Sequence, residues 1–119
     1  MQTLPSSQQT RLLQRLTQLS RSGQVRLDRE ECAALAYALS QETAVTIVLF
    51  GSRTQADRRG GDIDLLILGK VPSFETSQRI ATRFFSRCEE KIDVIVIDPE
   101  TATPAQQAFL NQIQTITIS

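Results

Sequence analysis

Residues 44–68 read AVTIVLFGSRTQADRRGGDIDLLIL. Two runs in it, Ala44–Phe50 and Asp62–Leu68, are β-branched and almost wholly apolar, as expected of strands buried on both faces. The connector between them, GSRTQADRRGG, is polar and carries glycine at both ends. A carboxylate at the mouth of an apolar strand must find a cation or hydrogen-bond donors, because leaving it desolvated and alone is costly. Asp62 and Asp64 are such residues. Side chains alternate along a strand, so both project to one side, about 7 Å apart along the backbone. Ile63, Leu65 and Ile67 project to the other side, into a core.

Downstream, Gly69 and Pro72 stop the second strand. Ser73 is expected to cap a helix whose apolar side is Phe74, Ile80, Ala81, Phe84 and Phe85, with Arg79, Arg83 and Arg87 facing solvent. KIDVIVI at 91–97 reads as a third buried strand, closed by Asp98 and Pro99 and carrying Asp93 near its start. Pro104 opens a short helix reaching Ile113, and the closing TITIS suits an edge strand, with Ile113, Ile116 and Ile118 covering a sheet edge.

Upstream, Pro5 and two serines precede leucines at 12, 13, 16 and 19, which predict a helix over 7–21 ended by Gly23. Asp28 with Glu31 three residues on predicts a capping box, followed by the stripe Cys32, Leu35, Ala36 and Leu39 of a second helix. Arg11, Arg15, Arg21, Arg26 and Arg29 give this region a positive bias, read as a solvated face.

The acidic residues constrain topology. Gly51 and Ser52 follow the end of the first strand and Asp62 opens the second, so one shared site requires those strands to be antiparallel. Asp93 lies near the start of its strand, so the third strand must run parallel to the second. That demands a crossover, which the helical segment 73–90 supplies. The expectation is an α/β (α+β) fold, a mixed sheet of at least three strands flanked by helices, with Gly51, Ser52 and three aspartates at one edge. A chain of 119 residues suits one domain: helices over 1–43, a core over 44–98, and a helix and tail over 99–119.

Composition narrows the chemistry. Thirteen basic and thirteen acidic residues cancel, so the overall charge does not point to a polyanion such as DNA. With no histidine, a histidine triad, a histidine metal site and an imidazole base are excluded. Cys32 and Cys88, each in a segment with helical patterning and without a CxxC arrangement, read as reduced thiols. The polar, glutamine-rich stretch 1–19 has no apolar run, so neither a signal peptide nor a membrane span is expected, and the cytoplasm is the expected compartment. Paired carboxylates beside a glycine-serine turn suit phosphorus chemistry. Mg²⁺ prefers hard oxygen ligands, two such ions can clamp a triphosphate, and glycine lets the backbone approach the phosphates.

These residues carry a family resemblance. GS followed by DxD on the next strand, with a third aspartate in KIDVIVID, resembles the nucleotidyltransferase superfamily that includes DNA polymerase beta. The likeness is strongest to its smallest members, the minimal nucleotidyltransferases called MNT or MntA-like proteins. It spans roughly residues 45–97, with nine residues between GS and DxD, one fewer than the usual written pattern. The resemblance implies a polymerase beta-like palm in which Gly51 and Ser52 hold the triphosphate of ATP or another nucleoside triphosphate. It implies that Asp62 and Asp64 bind two Mg²⁺ ions, and that Asp93 binds the catalytic ion and helps deprotonate the incoming hydroxyl. Arg53 would neutralise phosphate charge or else lie on the surface. The resemblance further implies AMP transfer from ATP to a hydroxyl of a helical HEPN-type partner, in an antitoxin–toxin pair. The alternative is a catalytically weak or inactive nucleotide-binding antitoxin that acts by binding its partner. Transfer to an RNA end or an antibiotic would call for a further domain or a basic channel.

Overall fold

A computed structural model of the chain describes residues 6–119; the parts of the amino-terminal reading that concern residues 1–5, Pro5 included, lie outside them. Helix α1 spans Ser7–Arg21, with Ser6 accepting the Gln9 N–H as its N-cap, and Gly23 at φ +80° turns the chain beyond its end. Helix α2 spans Arg29–Leu39, opened by the expected capping box between Asp28 and Glu31. Strands β1 (Thr46–Phe50) and β2 (Ile63–Leu68) follow, joined by a single 3-10 turn at Gly51–Thr54 and a loop. Helix α3 (Ser73–Phe85), strand β3 (Ile92–Ile97), helix α4 (Pro104–Gln112) and strand β4 (Thr115–Thr117) complete the chain.

The architecture is a mixed α/β arrangement, a four-stranded sheet of order β3-β2-β1-β4 flanked by helices. β1 and β2 are antiparallel, β2 and β3 parallel through the α3 crossover, as the single-site argument required. One face of the sheet, including Ile47, Leu49, Ile63, Leu65 and Ile67, joins side chains of α1, α2 and α3 in the main core. The other face is thinner: Val48, Leu66 and Ile97 pack with Phe50, Phe109, Leu110 and Ile113, so α4 covers only part of it. Among the described residues no helix is long and apolar enough to cross a membrane.

Several local expectations are corrected. Pro72, not Ser73, is the N-cap of α3, and no side chain caps that helix; Ser73 is its first residue. The Arg79–Arg83–Arg87 row faces solvent only in part: Arg79 and Arg87 are exposed and Arg83 is half-buried, yet all three engage the α2 region. Arg79 forms a bidentate ion pair with buried Glu42, Arg83 donates to the Tyr37 carbonyl and the Ser40 hydroxyl, and Arg83 and Arg87 both stack on the Tyr37 ring at about 4 Å. The row is the seam between α3 and α2. β3 is not buried on both faces: it is the last strand of the sheet, with Asp93 and Ile95 exposed. Cys88 lies beyond the end of α3 instead of within it; both thiols are buried, and burial raises their pKa, which keeps them protonated and inert. The C-terminal TIT is a paired strand on β1, and Thr103 adds a capping box ahead of Pro104 that the sequence reading missed.

Candidate active site

The sheet brings the acidic residues together through register alone. Asp64 on β2 is the direct partner of Asp93 on β3 and of Phe50 on β1, the residue before Gly51. Asp62 precedes β2 by one residue and shares the face of Asp64. All three therefore lie at the same end of the thinly covered face, beside Phe50, which packs edge-on against Phe109 of α4. Their proximity is electrostatic as well: burial raises the Asp64 pKa above its ordinary 3.8, and the carboxylates of Asp93 and Asp62 raise it further.

The glycine-serine turn is fitted against these carboxylates. Gly51 has φ +78°, and a Cβ there would penetrate Asp64 Oδ2. Gly61, at φ +87°, abuts the Ser52 hydroxyl in the same way. Both positions thus require glycine twice over, for backbone conformation and for space. The result is a tight turn in which Asp64 abuts Gly51 and the Ser52 hydroxyl abuts Gly61.

What holds the loop in this shape escaped the sequence reading. Arg53, only 6% exposed, is not a surface arginine. Its guanidinium forms a bidentate pair with Glu31 (2.9 and 3.0 Å) and donates to the carbonyls of Gly61 and Arg26. Burial works against the charge, but Glu31 outweighs it, and the Arg53 pKa stays above its usual value. Arg26 completes the clamp by donating to the carbonyls of Ser52, Gln55 and Gly60. Two arginines therefore tie both arms of the connector to each other and to the start of α2. Glu31 was legible as a capping residue; its second role, and that of Arg26, depend on a contact over more than twenty residues that spacing does not encode.

The donor set suits a hard divalent cation: three carboxylates, one hydroxyl, no sulfur or imidazole. Among the described residues no three acidic or cysteine side chains converge tightly enough to enclose an ion. Asp93 is exposed and Asp62 and Asp64 are half-buried; a groove of about 580 Å³ lies elsewhere, along α1 and the start of α2 beside Leu13, Leu27 and Cys32. No protein-family model matches the chain, and no curated protein matches it significantly.

Proposed function

We propose that this protein is a nucleotidyltransferase that moves a nucleoside monophosphate, AMP from ATP, onto a hydroxyl of a partner protein. The observation that carries the reading is the direct pairing of Asp64 with Asp93 across β2 and β3, against a glycine that only Gly can occupy. Asp62, Asp64 and Asp93 would hold two Mg²⁺ ions, which supply charge neutralisation of the triphosphate and its leaving group. Ser52 Oγ donates to a phosphate oxygen, and Gly51 lets the backbone lie close to the same group. An Asp93 carboxylate oxygen takes the proton of the acceptor hydroxyl. The hydroxyl oxygen then bonds to the α-phosphorus, the bond from that phosphorus to its β-bridging oxygen breaks, and pyrophosphate leaves. Arg53, Arg26 and Glu31 act by positioning the loop, and we assign Arg53 no phosphate contact.

The exposure of Asp93 on the last strand of the sheet favours an acceptor delivered by another macromolecule over a small molecule enclosed in a pocket. We place the reaction in the cytoplasm, with a HEPN-type protein as acceptor, on the strength of the sequence resemblance. Mass spectrometry of copurifying proteins tests the reading: one of them gains the mass of one nucleotide in the presence of the wild-type chain and not of Asp64→Asn. If Asp64→Asn neutralises the partner as fully as the wild type and no mass is gained, the protein acts by binding alone.

A further inference from the structure

β3 is the last strand of the sheet and ends in an unprotected edge. Its sequence, IDVIVI, has no proline and no lysine, the residues that ordinarily blunt such an edge. The surroundings of this edge are apolar. Three of the four exposed large hydrophobic side chains among the described residues lie on α3 and β3: Phe74 (70% exposed), Phe85 (50%) and Ile95 (36%). Phe74 and Phe85 are about three helical turns apart and share one side of α3. Ile80 and Phe84 point from α3 into the core, and Arg79 and Arg83 point to α2, so the two phenylalanines lie on the remaining side, towards the β3 edge. The edge is thus flanked by phenylalanines on the helical face of the sheet and by Ile95 and Asp93 on the open face.

We infer that this edge receives an extended segment of the acceptor protein as a fifth strand, and that the segment carries the hydroxyl to Asp93. The inference rests on the nucleotidyltransferase reading and deepens it by naming how the acceptor binds. Strand addition supplies affinity through main-chain hydrogen bonds, and its period of two sends alternate side chains to the two faces. One set meets Phe74 and Phe85 and is therefore apolar. The other set meets Ile95 and Asp93, one strand spacing of about 4.8 Å away, which puts a hydroxyl residue within reach of the carboxylate. At this end of the strand Glu89, Glu90 and Asp93 are exposed beside Lys91 and Arg87, and Glu90 lies 3.8 Å from the Arg53 guanidinium, so the acidic excess rests on Glu89 and Asp93, which a Lys or Arg beside the hydroxyl would meet. The carboxylate is built into the edge where the acceptor must arrive.

The probe is the peptide acetyl-Lys-Val-Tyr-Val-Thr-Val-Lys-amide. With the wild-type protein, the peptide should slow amide hydrogen exchange across residues 92–97 and gain the mass of one AMP in magnesium–ATP. The double variant Phe74→Ser with Phe85→Ser alters exposed side chains outside the carboxylate site. It should keep the thermal shift given by magnesium–ATP while its KM for the peptide rises by about tenfold or more, the loss of one buried apolar contact or two. Unchanged exchange at 92–97 with saturating peptide, or equal use of the peptide by the double variant, would overturn strand addition. So would slow exchange at 92–97 in the protein alone that rises with its own concentration, since a second copy would then hold the edge. Failure of the underlying reading looks different: no magnesium–ATP shift and no transfer by any variant, which removes this inference with it.

Discussion

Gly51 and Asp64 are closely fitted, and each makes the other hard to replace. Gly51→Ala adds a Cβ that meets Asp64 Oδ2 and forces a left-handed conformation on a residue with a side chain. It should cost about 1–3 kcal/mol in chemical denaturation and abolish transfer. Asp64 carries the opposite burden, since its charge is partly desolvated beside two others. Because its folded pKa is raised, the native state binds a proton more readily than the unfolded state. Stability therefore falls as pH rises from the ordinary 3.8 through the raised value, and the penalty is complete above it. In magnesium-free buffer at neutral pH, Asp64→Asn should melt above the wild type, and the gap should narrow as the pH falls through that window. The same change should cut transfer by about 100-fold or more, since even outer partners of metal ligands contribute 10–100-fold. A variant that is more stable yet inactive separates a functional carboxylate from a structural one. Asp62, Asp64 and Asp93 were legible in the sequence because charged residues in apolar strands stand out. The burial of Arg53 against Glu31 was not legible, because an arginine in a polar loop gives no local sign that a carboxylate in a distant helix awaits it.

At the scale of elements, the connector between β1 and β2 is held by charge as much as by turn chemistry. Arg53→Ala would leave Glu31 buried without its partner, and should cost about 3–5 kcal/mol in urea unfolding. Arg26 is the gentler probe, because it clamps carbonyls from a half-buried position and leaves the Glu31–Arg53 pair intact. Arg26→Ala should raise the KM for ATP more than it lowers the melting temperature, and speed hydrogen exchange in residues 52–61. The three long strands and their directions followed from apolar runs, strand period and the need to gather the aspartates at one place. Less was legible where neighbours decide. The arginines of α3 are spaced as a solvent-facing row would be, yet Tyr37 and Glu42 of the α2 region convert them into a helix–helix seam. β3 reads as a doubly buried strand, because its apolar content does not reveal that it is the last strand of the sheet and that Asp93 and Ile95 are exposed.

Across the whole molecule, the sheet divides labour between its two faces. The helical face carries the main core, and the other is left open where the carboxylates stand. A ligand that unites them should therefore stabilise the fold by mass action. Magnesium and ATP together, at about a hundredfold over their dissociation constant, should add about 2.7 kcal/mol, and neither should do so alone. Differential scanning calorimetry with EDTA, magnesium, ATP and the combination reads this directly. The most direct test of the central claim is the fate of the phosphates. Wild-type protein, magnesium and the acceptor protein should incorporate label from ATP carrying radioactive phosphorus at the α position and release label at the γ position as pyrophosphate, and Asp64→Asn should do neither. Incorporation from the γ position, or undiminished incorporation by Asp64→Asn, would contradict the account.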